Sequence, residues 1–209
     1  MMEFISMDFF YDGIHLKIPE PESIKDAYKK ALNLDEKIPF PYWSKLWPAA
    51  KALALFIAQN PNLFYNKKIA ELGAGLALPS FVVAQFASHV DASDYIHDAV
   101  ELIKTNIKIN GFQNISARVL NWTNLKPNEY PEIVLLSDVN YEPSSFDALY
   151  LLISKLIASD VSIFLATPQR LQGANFINLL QNSIVSTTNY TIEINNSSTP
   201  ISIFHLQNQ

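Results

Sequence analysis

The stretch AELGAGLALPS, residues 70–80, decides how the rest of the chain is read. A short apolar run and an acidic residue lead into two glycines one residue apart, Gly73 and Gly75, and a segment of helical period follows. Glycines there let the backbone bend sharply and approach a ligand with no Cβ in the way. The spacing departs from the G-x-G-x-x-G of dinucleotide sites, because Leu78 stands where the third glycine would be. Glu71, just ahead of the glycines, suits a cationic ligand better than a pyrophosphate. Taken alone, the stretch is equally readable as a plain tight turn.

Outward from this turn, short apolar runs alternate with longer segments of helical period. The runs are KIAEL from Lys68, HVDASD (89–94), ISARVL (115–120), EIVLLSD (132–138) and VSIFLAT (161–167). Between them lie PSFVVAQFAS, then HDAVELIKTNIKIN ended by Gly111 as a left-handed cap, then SSFDALYLLISKLIAS with serines at its N-cap. The unmixed apolar character of IVLL and IFLA suits strands covered by helices on both faces, which predicts a doubly wound, mostly parallel α/β sheet. After a helix around Gln169 to Gln181, NYTIEIN and PISIFHLQ are joined by only NSST, so they pair as an antiparallel hairpin and bring the sheet to about seven strands.

Upstream, FISMDFFY and IHLKI flank Asp12-Gly13, a tight-turn pair, and predict a hairpin over residues 4–18. A polar helix from Glu22 to Leu32 follows, then the irregular, aromatic-rich loop IPFPYWSKLWP, then a helix opened by Pro48 and stopped at Asn60-Pro61. Residues 1–40 therefore read as a hairpin and helix extension packed on a core of residues 41–209, the whole forming one globular unit.

Composition narrows the function. A chain of 209 residues that is 49% hydrophobic can bury a real core, and a net charge of −5 argues against a protein that neutralises many phosphates, so no nucleic-acid partner is expected. With no cysteine there is no disulfide, thiolate metal site or cysteine nucleophile. The acidic start MMEFISMDFFYDG lacks a basic leader region, and ALALFIA (52–58) is too short to span a bilayer; the expectation is a cytoplasmic chain with no membrane partner. His15, His89, His97 and His205 have no metal spacing, and His97 reads as a surface helix residue.

Three further pieces fall at strand ends, where ligands bind in sheets of this kind. Asp94 lies 23 residues beyond Glu71 and can accept both ribose hydroxyls of an adenosine, or cap the helix that follows. Trp122, after Asn121, can flank an adenine ring or pack in the core. Asp138 and Tyr141 close the apolar fourth run as SDVNY, and a carboxylate there should meet a cation or donors.

Together ELGAGLALP, Asp94, the Asn121-Trp122 pair and above all SDVNY resemble the class I, seven-strand S-adenosylmethionine-dependent methyltransferases. Within that class they are similar to methyltransferase family 16, protein-lysine methyltransferases marked by D-x-x-Y after strand four. WSKLWPAAKALALFI resembles the same family's tryptophan-bearing helix entry, and the likeness runs from about Tyr42 to Arg170. It implies a Rossmann-like fold and cofactor contacts from Trp47, the backbone of Gly73, Ala74 and Gly75, Asp94, Trp122 and Ser137, with Asp138 and Tyr141 shaping the acceptor site. Ala77 departs from the third glycine of many relatives, and Asn121 from the residue usual before the tryptophan. The expected activity is N-methylation of lysine in a protein substrate by S-adenosyl-L-methionine. The alternatives are a small amine or heterocycle as acceptor, and a non-catalytic scaffold that binds the cofactor. A nucleic-acid amino-methyltransferase resembles N-P-P-Y here, and Val139-Asn140 supplies neither proline. Oligomeric state is not readable, and a monomer is compatible with the sequence.

Overall fold

A computed structural model describes residues 3–9, 13–33, 40–169, 171–194 and 197–208. The chain opens with an antiparallel hairpin, β1 (Phe4–Phe9) and β2 (Ile14–Pro19), and helix α1 (Pro21–Asn33). The core follows as α2 (Pro48–Gln59), β3 (Lys68–Leu72), α3 (Leu78–Val83), β4 (His89–Asp94), α4 (His97–Asn110) and β5 (Ile115–Val119). Then come β6 (Ile133–Ser137), α5 (Phe146–Ile157), β7 (Ser162–Pro168), α6 (Leu171–Leu179), β8 (Ile184–Ile194) and β9 (Ser197–Leu206).

The seven-stranded sheet has the order β5-β4-β3-β6-β7-β9-β8. Pairs from β5 to β7 are parallel, whereas β9 runs antiparallel to both β7 and β8. From β3 the chain steps outward through β4 and β5, then returns to lay β6 on the other side of β3. The order therefore reverses between β3 and β6, which opens a crevice beyond their carboxyl ends.

Period-two alternation divides the core in two. Ile69, Ile133, Leu135 and Phe164 face a layer containing Leu53, Ile57, Phe81 and Ile103, while Val134, Leu136, Ile163 and Leu165 face Leu149, Ile153, Leu156 and Phe176. Both faces are covered, as the unmixed apolar runs require. The N-terminal hairpin is held by side chains that imitate a strand. Asn106 of α4 accepts from Lys17 N at 2.8 Å and donates to Lys17 O at 3.0 Å, and Asn110, one turn later, does the same with His15 at 2.8 and 2.7 Å.

In the expected hairpin, Phe9 pairs with Ile14 and Gly13 has φ +75°, while Asp12 lies outside the described residues. Three local expectations are corrected. The helix after β7 is shorter than Gln169 to Gln181, because Gln169 N bonds Pro200 O and continues the sheet. β8 starts at Ile184, not near Asn189, since its polar Ser186-Thr187-Thr188 run hides the alternation. Ser145 precedes α5 in a helical conformation and donates to Glu142 O at 2.7 Å instead of capping the helix. Gly111 does close α4 at φ +69°, and Pro48 opens α2.

Candidate active site

The glycine turn leaves β3 at the crevice with Gly73 at φ +68° and Gly75 at φ +52°. Both positions are tight as well as strained for other residues. A Cβ on Gly75 would stand 3.1 Å from the Trp43 carbonyl oxygen, and one on Gly73 would stand 3.2 Å from Val139 and 3.3 Å from the Trp122 ring. Ala77, with φ +56°, holds a left-handed conformation at the start of α3, which is the physical reason a glycine suits that position.

Asp94 fastens the turn to the end of β4. Its Oδ2 accepts from Gly75 N at 2.9 Å and its Oδ1 from Ile96 N at 3.0 Å, while Ala74 N donates to Ser93 O at 2.9 Å. Burial raises the Asp94 carboxyl pKa, against the backbone N–H bonds from Ile96, Gly75 and Tyr95 that lower it. A carboxylate has about four lone-pair sites, so capacity remains for a further donor.

A cavity of about 790 Å³ lies over this turn. The structure brings Trp47, Gly73, Ala74, Gly75, Asp94, Trp122, Ser137, Asp138 and Tyr141 onto its wall, all named from sequence. Glu71 is the exception. Alternation along β3 points its side chain to the face under α3, where it is fully buried and its Oε2 accepts from Ser80 N at 2.9 Å and Ser80 Oγ at 2.5 Å. Desolvation pushes its carboxyl pKa up to about 8. It supports the turn from behind and does not line the cavity.

Trp122 begins a short 3₁₀ turn capped by Asn121, whose Oδ1 accepts from Thr123 N at 3.1 Å and Thr123 Oγ1 at 2.8 Å. Capping explains the amide at this position. Asp138 follows β6 at φ +54°, with its N–H donated to Ala166 O at 2.9 Å, so the bend is fixed by β7. Tyr141 follows half-exposed. Its phenol pKa is raised, first by burial and then by nearby Tyr95, Glu142, Tyr42 and Asp94.

On the aromatic side of the cavity, Trp47 and Tyr141 were named from sequence, whereas Tyr28, Phe40 and Tyr42 were missed. Tyr42 is its hub, with ring centroids 5.2 Å from Phe40, 5.5 Å from Tyr141 and 6.0 Å from Trp47, and Tyr28 continues the line 5.3 Å beyond Phe40. The density of aromatics in PFPYWSKLWP was the available signal, but an irregular loop has no period that assigns a facing direction. Asn140, within the SDVNY stretch, was also missed as a buried group. It is 3% exposed, faces Gly173, and neither amide atom meets a hydrogen-bond partner among the described residues. His97 lies exposed at the start of α4, and no metal-holding cluster of His, Asp and Glu occurs among the described residues.

The lining carries Asp94, Asp98, Asp138 and Glu142 against Lys45, the one basic side chain among its described residues. Such a cavity favours a cation. Among the described residues no helix is long and apolar enough to cross a membrane.

Comparison with known proteins agrees with this geometry. Electron transfer flavoprotein beta subunit lysine methyltransferase of Rattus norvegicus is 25% identical over 154 residues, covering 73% of this chain and 59% of that protein. A histone-arginine methyltransferase of Xenopus laevis is 28% identical over 139 residues, covering 64% and 59%. The chain thus spans about three fifths of the length of these relatives. Among solved structures, the N-methyltransferase NodS of Bradyrhizobium japonicum with S-adenosyl-l-homocysteine superposes with a TM-score of 0.61 at 10% identity, covering 88% of this chain and 98% of that one. A tRNA (uracil-54, C5)-methyltransferase of Pyrococcus abyssi, also with S-adenosyl-L-homocysteine, gives 0.61 at 14% identity over 98% of this chain and 44% of that one. These likenesses establish the Rossmann-like methyltransferase fold. The family model described as lysine methyltransferase matches residues 28–183, most of the chain, and the chain belongs to that family.

Proposed function

We propose that this protein transfers a methyl group from S-adenosyl-L-methionine to the side-chain nitrogen of lysine in a protein substrate. The observation that carries this reading is one cavity with two unlike ends: a glycine turn fastened by Asp94, and Asp138 beside an aromatic wall containing Tyr141.

The residues present fit the cofactor. The remaining acceptor capacity of Asp94 suits a ribose hydroxyl, and Trp122 provides an aromatic face near the turn. Because the N–H groups of Ala74 and Gly75 are already committed to Ser93 and Asp94, the turn offers carbonyl oxygens and a surface without Cβ, which suits an ammonium more than a phosphate. Trp47, whose Nε1 donates to Tyr42 O at 2.9 Å, joins this end to the aromatic wall. Ser137 at the end of β6 completes it, and Glu71 stiffens it from behind through Ser80.

When bound, S-adenosylmethionine supplies a methyl carbon on a cationic sulfur, open to in-line displacement by an amine lone pair. Asp138 captures and orients the lysine ammonium, and a carboxylate there favours the charged form, so it is not the proton acceptor. Tyr141 stays protonated, since burial raises its pKa, and its ring walls the channel with Tyr42. The ammonium proton leaves to solvent before transfer. The family resemblance, and relatives named as lysine methyltransferases, support lysine over other acceptors.

The test is incubation of the purified protein with methyl-labelled S-adenosylmethionine and a lysate of its source cells. Label in a discrete protein band, at lysine by mass spectrometry and absent with Asp94→Ala, is the expected result. Label only in small molecules other than the cofactor would replace the protein acceptor by a small amine. Cofactor binding with no transfer to anything would leave a scaffold.

A further inference from the structure

A second, smaller cavity of about 280 Å³ adjoins the first and shares two of its walls, Lys45 and Trp47. Its other walls are Pro48 at the start of α2, Pro168 and Gln169 at the end of β7, and Thr199 and Pro200 in β9. Three prolines and a tryptophan make this groove largely apolar, and the prolines carry no backbone donor. It meets the main cavity at Lys45 and Trp47 and lies against the end of β7 and the early residues of β9.

Charge is distributed unevenly between the two. The main cavity is lined by four carboxylates, whereas Lys45 is the sole charged side chain among the described residues of the small groove. Its Nζ lies 4.5 Å from the centroid of the Trp47 ring, and none of the ion pairs among described residues includes it. The ammonium is exposed and supported by a ring, which fixes its position without neutralising it. An occupant that threads both cavities therefore meets carboxylates at one point and a cation a short distance away.

From this we infer that the acceptor binds as an extended polypeptide segment carrying a carboxylate next to its target lysine. The carboxylate pairs with Lys45, and a neighbouring side chain lies in the apolar groove between Trp47 and Pro200. A lone small amine would fill the main cavity and leave both features unused. Lys45 is then a specificity residue that acts on acceptor affinity, outside the reacting atoms. This inference rests on the protein-lysine reading above.

The experiment uses synthetic peptides identical except for the residues flanking one central lysine, which are glutamate, glutamine or arginine. KM and kcat are measured for the native protein and for Lys45→Arg, Lys45→Met and Lys45→Glu, and S-adenosylhomocysteine affinity is measured for each by calorimetry. A partly exposed ion pair is worth a few-fold in affinity, and reversing its sign about doubles that on a logarithmic scale. The native protein should show a KM about fivefold lower for the glutamate peptide than for the arginine peptide. Lys45→Arg should keep that preference, Lys45→Met lose it and Lys45→Glu invert it, with kcat changing less than KM. Disturbed packing of Trp47 cannot produce an inversion. Equal KM values for the three peptides with the native protein, or no inversion in Lys45→Glu, would overturn the inference while leaving lysine methylation intact. Retained S-adenosylhomocysteine binding with no peptide labelled would defeat both readings, and loss of that binding in the native protein would defeat the cofactor assignment beneath them.

Discussion

The two ends of the cavity are built in opposite ways. The glycine end comes from one short piece of chain, β3 through the first residues after β4, and it is buried and held by backbone. Leu76 and Ala77 are nearly inaccessible there, and Asp94 is 4% exposed while clamping Gly75. The aromatic end sets Tyr141, from beyond β6, against Tyr28, Phe40, Tyr42 and Trp47, from before α2, and its tyrosines remain open to solvent, Tyr42 at 47% and Tyr141 at 41%. A ligand that is always the same can be gripped by fixed backbone, whereas an acceptor that arrives on another molecule needs an accessible face. Preorganisation sits at the first end and adaptability at the second.

The contrast can be tested where it is largest, in the carboxyl beneath the glycine turn. Glu71 titrates near 8 in the folded protein and at the ordinary 4.5 when exposed, so between these values the native state holds a proton that the unfolded chain has released. Stability from this group is complete below the unfolded value and falls steadily as pH rises toward the folded one. Urea unfolding from pH 4 to 9 should therefore show a decline that Glu71→Gln flattens. An unchanged slope in the variant would mean that Glu71 is solvated and the turn less rigid than described.

Next in size is a crossed pair of substitutions. Asp94→Ala removes a charged acceptor together with the clamp on Gly75 N and should weaken S-adenosylhomocysteine binding about 100-fold by calorimetry. Tyr141→Ala should leave that affinity near its native value and raise acceptor KM about tenfold. If Tyr141→Ala cost as much cofactor affinity as Asp94→Ala, the two ends would be one site and the comparison would fail.

Smaller effects separate fit from strain. In Gly75→Ala the new Cβ meets the Trp43 carbonyl at 3.1 Å and the backbone has φ +52°, so thermal unfolding should report a loss of about 2 kcal/mol. Ala77→Gly relieves a left-handed alanine and should gain up to about 1 kcal/mol, with acceptor KM unchanged. Destabilisation by Ala77→Gly would show that the left-handed conformation there costs less than the added freedom of glycine in the unfolded chain.

How much of this was legible in the sequence follows the same division. The element order, the parallel sheet and its terminal hairpin were readable because apolar periodicity and turn residues act within a few positions of themselves. So were Asp94, Trp122 and Asp138, since each ends a run whose strand character is local. The extent of β8 was not, because Ser186 to Thr188 break the alternation that marks a strand. Phe40 and Tyr42 of the aromatic wall were not either, because PFPYWSKLWP has no period and its rings take their facing from segments that the fold brings to them.

Glu71 states the limit most plainly. By itself the sequence determined that an acidic residue precedes a glycine turn at the end of a buried strand, which made the turn a candidate ligand site. Only the tertiary structure decided that this carboxylate turns under α3 to Ser80 while Asp94, from the neighbouring strand, takes the place beside the turn. Likewise, only the structure joined Asn106 and Asn110 to the N-terminal strand and set Lys45 between two cavities. Patterns with periods of two and 3.6 residues are fixed by covalent geometry and burial within one segment. Which side chain meets which across the molecule is fixed by strand order and the pleat of the sheet, and these exist only once distant segments have packed.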